Sequence, residues 1–141
     1  MSDRRILLDT GPLVALLTSV DLHHQLCVKT FAALSPPLLT CWPVLAEAAW
    51  ILRNQHRPFE RIADLHADGM FEILTLEGTC LRSIAAIMTR YESARLQMAD
   101  ATLVHLADRE HIRTVFTLDR RDFTILRLKG NRSFRLIPEV Q

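Results

Sequence analysis

Two aspartates directly follow apolar runs that have the composition of buried strands. Asp9 comes after Ile6-Leu7-Leu8, and Asp119 comes shortly after Val115-Phe116-Thr117. Short aliphatic, β-branched and aromatic runs next to turn residues predict strands. In parallel α/β sheets, ligands bind outside the carboxyl ends of the strands. The sequence therefore predicts that Asp9 and Asp119 lie at the reactive edge of a sheet.

Glu47 is the third acidic candidate, because it is the only charged residue between Leu38 and Leu52. Its neighbours are Leu, Val, Ala, Trp and Ile, so we expect the helix that carries it to be buried. An ionised carboxylate buried without a partner costs several kcal/mol, and no Lys or Arg lies one helical turn away. The alternative is a residue at the rim of the helix that points to water.

Asp100 is the fourth candidate, and it begins a predicted helix whose apolar positions start at Leu103. Taken alone, Asp100 is well explained as an N-cap, because Asp complements the helix dipole. Asp119 also has a simple structural explanation, since Asp-Arg-Arg-Asp is ordinary turn chemistry. The second acid of that turn, Asp122, stays open as an alternative to Asp119.

If the four carboxylates converge, they form a site that attracts a metal ion. Two unit charges about 4 Å apart repel by about 4 kcal/mol at an effective dielectric near 20. A divalent cation relieves that repulsion, and an all-oxygen ligand set favours Mg²⁺ or Mn²⁺ over zinc. Such ions activate water and neutralise a phosphate under attack, which points to phosphodiester hydrolysis. Thr10 and Thr117 are placed to hydrogen-bond a ligand or a water molecule, although buried threonines commonly bond locally.

The elements that must position these residues alternate along the chain. Strands that alternate with helices predict a parallel sheet covered on both faces, and 141 residues predict one domain, 1–141. The predicted strands are 6–8, 38–41, 70–76, 114–117 and 134–137, and the predicted helices are 11–17, 22–34, 43–54, 59–67, 80–93 and 100–111.

Composition narrows the class of protein further. The net charge is +1, which argues against a strong nonspecific grip on nucleic acid. From Arg109 onward, however, there are eight Lys or Arg against four Asp or Glu, which suits a phosphate-bearing partner. Three cysteines without C-x-x-C spacing indicate neither a disulfide framework nor a zinc site. No apolar stretch approaches the roughly 20 residues of a membrane span, so we expect a cytoplasmic protein without membrane contact.

Four short motifs contain the candidate acids and follow one another along nearly the whole chain. They are Ile6-Leu7-Leu8-Asp9-Thr10 with Leu13 to Leu17, Leu45-Ala46-Glu47-Ala48, Met98-Ala99-Asp100-Ala101, and Thr117-Leu118-Asp119-Arg120-Arg121-Asp122-Phe123. Together they resemble the motifs of PIN-domain ribonucleases, and in particular those of the VapC-type toxins of prokaryotic toxin–antitoxin pairs. The last motif departs from many relatives, which have one residue between the two aspartates where this chain has Arg120-Arg121.

The resemblance implies a PIN-like three-layer α/β/α sandwich around a mainly parallel sheet of 4–5 strands. It implies Mg²⁺ or Mn²⁺ bound by Asp9, Glu47, Asp100 and Asp119, and endonucleolytic cleavage of RNA. It also implies a homodimer and an antitoxin that covers the active-site groove. For contact with RNA phosphates the candidates are Arg120 and Arg121, followed by Arg127 and Lys129.

Two other functions remain open at this stage. Asp9 resembles the phosphorylated nucleophile of phosphatases that carry two aspartates two residues apart, but Gly11 occupies the place of the second acid. The second alternative is a catalytically inactive domain that binds RNA or a partner protein through its basic C-terminal third. Four intact carboxylates argue against that function, since a pure binder has no use for their mutual repulsion.

Overall fold

The centre of the computed structural model, which describes residues 4–139, is a five-stranded sheet in which all neighbouring strands are parallel. The strand order is β3-β2-β1-β4-β7, and β5 pairs with β6 in a separate antiparallel hairpin. The predicted sheet and its five strands are confirmed. The strands are β1 (Ile6–Leu8), β2 (Leu38–Thr40), β3 (Phe71–Ile73), β4 (Thr114–Phe116), β5 (Arg127–Leu128), β6 (Arg132–Ser133) and β7 (Arg135–Ile137).

Seven helices connect the strands within the described residues and flank the sheet. The first six confirm the six predicted helices, with ends that differ by a few residues. They are α1 (Thr10–Leu17), α2 (His24–Ala32), α3 (Trp42–Ile51), α4 (Pro58–Ala67), α5 (Cys80–Arg90), α6 (Met98–Glu110) and α7 (Arg120–Ile125). All of them are too short or too polar to cross a bilayer.

The two central strands are buried on both faces, as their apolar runs predict. Leu7 and Val115 are fully buried, and they lie opposite each other in the parallel pairing of β1 with β4. The chain leaves β1 toward β2 and β3 on one side and returns to β4 on the other side. The order of the strands therefore reverses between β1 and β4, and a crevice opens at their carboxyl ends.

Two parts of the chain differ from the sequence-based expectations. Helix α3 is not buried all round, because Trp42 and Trp50 are 57% and 65% exposed. These two side chains lie eight residues apart on one side of the helix, away from the sheet, so apolar composition alone overestimated its burial. No helix was predicted after Asp119, but this segment forms α7. An Asp119 carboxylate oxygen caps this helix by accepting a hydrogen bond from the backbone N–H of Asp122 at 3.1 Å.

Candidate active site

Asp9 lies at the carboxyl end of β1, at the crevice between β1 and β4. Its backbone N–H donates to the carbonyl of Phe116 at 3.0 Å, which continues the ladder between these strands by one residue. Its side chain is nearly fully buried, and Oδ2 accepts a hydrogen bond from the Thr117 hydroxyl at 2.7 Å. The strand therefore fixes the backbone of Asp9, and Thr117 fixes its carboxylate.

Burial raises the pKa of Asp9 to about 6. The hydrogen bond from Thr117 and the backbone of Thr10 lower this pKa, whereas repulsion from Glu47 and Asp119 raises it. Burial has the largest effect on this pKa, because the solvation that the ionised carboxylate loses is worth more than its hydrogen bonds with one hydroxyl and one backbone group. Asp9 is thus close to half-protonated near pH 6 when no cation is bound.

Asp100 is the third residue of α6 and is buried to 8% exposure. Burial is the largest cause that raises its pKa to about 8, followed by repulsion from Asp9, Glu47, Asp119 and Asp122. Helix α6 packs against α3, and this contact brings Glu47 toward Asp100. Like-charge repulsion therefore connects Asp100 with the other three predicted carboxylates, those of Asp9, Glu47 and Asp119, and with a fifth, that of Asp122.

The fifth carboxylate is Asp122, which the sequence left as an alternative to Asp119. One carboxylate oxygen from each of Asp100, Asp119 and Asp122 lies within 4.8 Å of the others. Burial, a hydrogen bond with the Asp119 carboxyl group and repulsion from Asp119 raise the pKa of Asp122, while Arg121 lowers it. Asp119 and Asp122 both belong to the group, because the first turn of α7 brings Asp122 back toward Asp119.

Glu47 is half-buried on α3. Its exposure is therefore intermediate between the two expectations from the sequence, which were a buried carboxylate and one that points to water. It acts on both Asp9 and Asp100 by like-charge repulsion. The expectation that its helix is buried fails on the side of Trp42 and Trp50, but Glu47 itself faces the acidic site. We refer to Asp9, Glu47, Asp100, Asp119 and Asp122 together as the acidic cluster.

The two threonines named from the sequence differ in how they are bonded. The Thr117 hydroxyl donates to Asp9 and accepts from the backbone N–H of Asp119 at 2.9 Å, so it connects the two strand-end aspartates. The Thr10 hydroxyl is buried next to Asp9 and has no hydrogen-bond partner among residues 4–139. Buried polar atoms are normally hydrogen-bonded, so Thr10 Oγ1 is an unsatisfied polar atom beside Asp9.

The basic residues named from the sequence lie at different places. A guanidinium N–H of Arg120 donates to the carbonyl of Pro138 at 2.8 Å, which holds the side chain against the C-terminal segment. Arg121 is exposed beside Asp122. The backbone N–H of Lys129 donates to Asp108, which lies eight residues, or about 12 Å along α6, beyond Asp100.

The acidic cluster has the composition of a site for a hard divalent cation. All its side-chain donors are carboxylate oxygens, with the Thr10 hydroxyl nearby, and oxygen ligands are those that Mg²⁺ and Mn²⁺ prefer. Asp9, Asp100 and Asp122 have raised pKa values. Their charged forms are destabilised in the metal-free protein, and a bound cation would reverse that effect. In the described part of the chain no other group of three His, Cys, Asp or Glu side chains is placed to bind one ion.

The PIN domain family matches residues 6–128. Over 135 residues the chain is 30% identical to ribonuclease VapC26 of Mycobacterium tuberculosis (strain ATCC 25618 / H37Rv), covering 94% of this chain and 100% of that protein. The crystal structure of Mycobacterium tuberculosis VapC20, a toxin that cleaves the sarcin–ricin loop, matches with a TM-score of 0.74 at 19% identity. That match covers 82% of this chain and 91% of the VapC20 chain.

Proposed function

The chain belongs to the PIN-domain family, and we propose that it is a metal-dependent endoribonuclease that acts as the toxin of a toxin–antitoxin pair. The observation that carries the proposal is the gathering of five carboxylates in the crevice between β1 and β4. Such a site opposes folding, since its charges repel and two of them are buried. A similar chain, VapC26, is a ribonuclease, and RNA hydrolysis is a reaction that uses such a site.

We propose that Asp9, Glu47, Asp100 and Asp119 hold Mg²⁺ or Mn²⁺, and we add Asp122 as a further ligand, because one oxygen from each of Asp100, Asp119 and Asp122 lies within 4.8 Å of the others. When bound, the ion would supply an activated water molecule and offset the charge of a phosphate under attack. Without the ion, Asp100 holds a proton at neutral pH because its pKa is about 8. Thr117 keeps the Asp9 carboxylate oriented and lowers its pKa, so Asp9 reaches its charged form at a lower pH than burial alone would allow.

The proposed partners are an RNA substrate, a cognate antitoxin protein and a second copy of this chain. Trp42 and Trp50 form an exposed aromatic pair on α3, and exposed aromatic side chains are enriched where proteins meet. We propose this pair as the contact between the two copies. Arg121 is proposed to contact RNA beside the acidic cluster, together with Arg120 and the threonines Thr10 and Thr117. The proposal places the protein in the cytoplasm, together with its RNA substrate.

The test is RNA cleavage by purified protein with Mn²⁺ or Mg²⁺, compared with the same reaction in EDTA. We expect wild-type cleavage with either metal, none in EDTA, and a loss of at least about 100-fold in Asp9→Asn. The matched control is Asp64→Asn, which makes the same change at an exposed position of α4 and keeps full activity. Cleavage that survives EDTA and the Asp9→Asn change, in preparations free of other nucleases, would refute the proposal.

Two further measurements separate a nuclease toxin from an inactive binding domain. Titration calorimetry with Mn²⁺ near neutral pH is expected to detect binding that Asp9→Asn weakens, and no binding would favour an inactive domain. Induced expression in bacteria is expected to stop growth. A small protein encoded beside the gene is expected to restore growth, and unaffected growth would argue against the toxin role.

A further inference from the structure

A groove of about 860 Å³ opens next to the acidic cluster, on the far side of the segment that follows β4. Helix α2 forms one wall, and the segment Thr117–Arg120 together with Pro138 and Glu139 forms the other. We call it the α2 groove. Thr117 lines this groove, and its hydroxyl also binds Asp9. The buried Thr117 side chain therefore lies between the α2 groove and Asp9.

The charges that line the α2 groove favour a phosphate. Lys29 is exposed on α2, and Arg120 faces it from the opposite wall, held by the carbonyl of Pro138. The one acidic residue of the lining, Glu139, pairs with Arg135 at 3.6 Å. The lining therefore carries two cations and one carboxylate, and that carboxylate is paired with Arg135 rather than with Lys29 or Arg120.

A second groove, on the other side of the acidic cluster, has a different balance of charge. Arg95 and Arg121 line it, but so do Asp119 and Asp122 of the acidic cluster itself. In the metal-free protein two carboxylates offset two guanidinium groups there, so the attraction for a phosphate is weaker until an ion binds. Of the two openings beside the acidic cluster, the α2 groove is the better match for the backbone of a nucleic acid strand.

The α2 groove also contains apolar surface between its cations. Leu26 of α2 and Ala33, which directly follows α2, contribute it from one wall, and Leu118 contributes it from the opposite wall. A cationic rim with an apolar floor matches a nucleotide, whose phosphate is charged and whose base has an apolar face. The volume lies within the range of about 300–1,000 Å³ that is usual for ligand pockets.

We propose that the α2 groove is a subsite for a nucleotide that flanks the cleaved bond in the RNA strand. Lys29 and Arg120 contact its phosphate, and Leu26 and Leu118 contact its base. The inference rests on the proposed function, because the strand is placed in the groove by the reaction at the acidic cluster. Lys29 is a binding residue in this account and takes no part in the chemical step.

Lys29→Gln is expected to raise the KM for an RNA oligonucleotide about five- to tenfold, the usual size of one charge-assisted contact, and to leave kcat unchanged. The control is Arg82→Gln, which also removes one positive charge, at an exposed position of α5. This control is expected to change KM less than about twofold. Equal effects of the two substitutions, or an unchanged KM in Lys29→Gln, would overturn the proposal.

A binding measurement keeps the test independent of cleavage. Fluorescence anisotropy of a labelled RNA oligonucleotide in EDTA is expected to show about five- to tenfold weaker binding to Lys29→Gln than to wild type. The slope of log K against log salt should also fall by about 0.7, which corresponds to one phosphate contact on a single strand. A wild type that binds RNA but never cleaves it would refute the proposed function alone. Equal affinities of wild type and Lys29→Gln would refute the α2 groove alone.

Discussion

Replacing Asp100 with Asn is expected to stabilise the metal-free protein while it removes RNA cleavage. Burial raises the pKa of the Asp100 carboxylate to about 8 in the folded protein, against an ordinary value of 3.8 for Asp. The charged form is therefore disfavoured in the fold, and folding stability is lost as the pH rises from about 4 through 8. Asn has a similar shape and no charge, so it avoids that loss.

The size of the effect follows from the shift in pKa. A shift of about four units at 1.36 kcal/mol per unit sets an upper limit of roughly 5 kcal/mol at pH 8. Solvent relaxation around a charged group reduces this to about 2–3 kcal/mol, or a melting temperature about 6–9 °C higher than that of wild type. At pH 5 the folded wild type already holds the proton, so the advantage of Asp100→Asn falls to about 1 kcal/mol.

The assay is thermal unfolding in EDTA at pH 5 and pH 8, with Asp64→Asn as the control. The control makes the same chemical change at an exposed position and should stay within about 0.5 kcal/mol of wild type at both pH values. Added Mn²⁺ should then stabilise wild type more than Asp100→Asn, because the variant has lost one ligand. A variant that is less stable than wild type at pH 8, or equally stabilised at both pH values, would refute the reasoning.

Three further predictions concern the surroundings of the acidic cluster. Thr117→Val removes the hydrogen bond that lowers the pKa of Asp9. The acidic limb of the pH–rate profile should therefore move to higher pH, and kcat should fall about tenfold. Thr117→Ser keeps the hydroxyl and should restore both the profile and kcat. Asp122→Asn should weaken Mn²⁺ binding about tenfold in calorimetry, while far-UV circular dichroism stays unchanged, because the cap of α7 uses the backbone N–H of Asp122. Trp50→Arg should convert a dimer to a monomer in sedimentation velocity without loss of folding, whereas an unchanged sedimentation coefficient would remove this residue from the proposed interface.

The sheet and its reactive edge were predictable because they depend on local patterns. Short apolar runs that end in Asp define β1 and β4, and alternation with helices makes the strands parallel. Once both strands are parallel and adjacent, Asp9 and Asp119 must emerge on the same edge. Glu47 and Asp100 come together because α3 packs against α6. In the sequence, only two signs pointed to this: Glu47 is the one charged residue of an apolar helix, and the motifs resemble those of PIN domains.

Features that depend on tertiary packing could not be predicted from the sequence. The sequence could not decide between Asp119 and Asp122, because that decision depends on whether the turn closes into α7. Helix α3 is apolar nearly all round, so composition could not tell its buried side from the side that carries Trp42 and Trp50. The α2 groove was also missed, since Lys29 and Arg120 are far apart in the chain and meet only across the fold.

Asp100 shows how the structure decides between a structural and a functional explanation. An N-cap aspartate bonds free backbone N–H groups, gains from the helix dipole and keeps its charge, so its pKa falls. In α6 the N-cap position belongs to Gln97, and Asp100 lies inside the first turn, buried among four other carboxylates with a pKa raised to about 8. The helix therefore does not need this carboxylate, and folding would be easier without it. A residue that opposes folding in this way is best explained by the metal ion that we propose for the acidic cluster, and the pH dependence of Asp100→Asn measures that opposition directly.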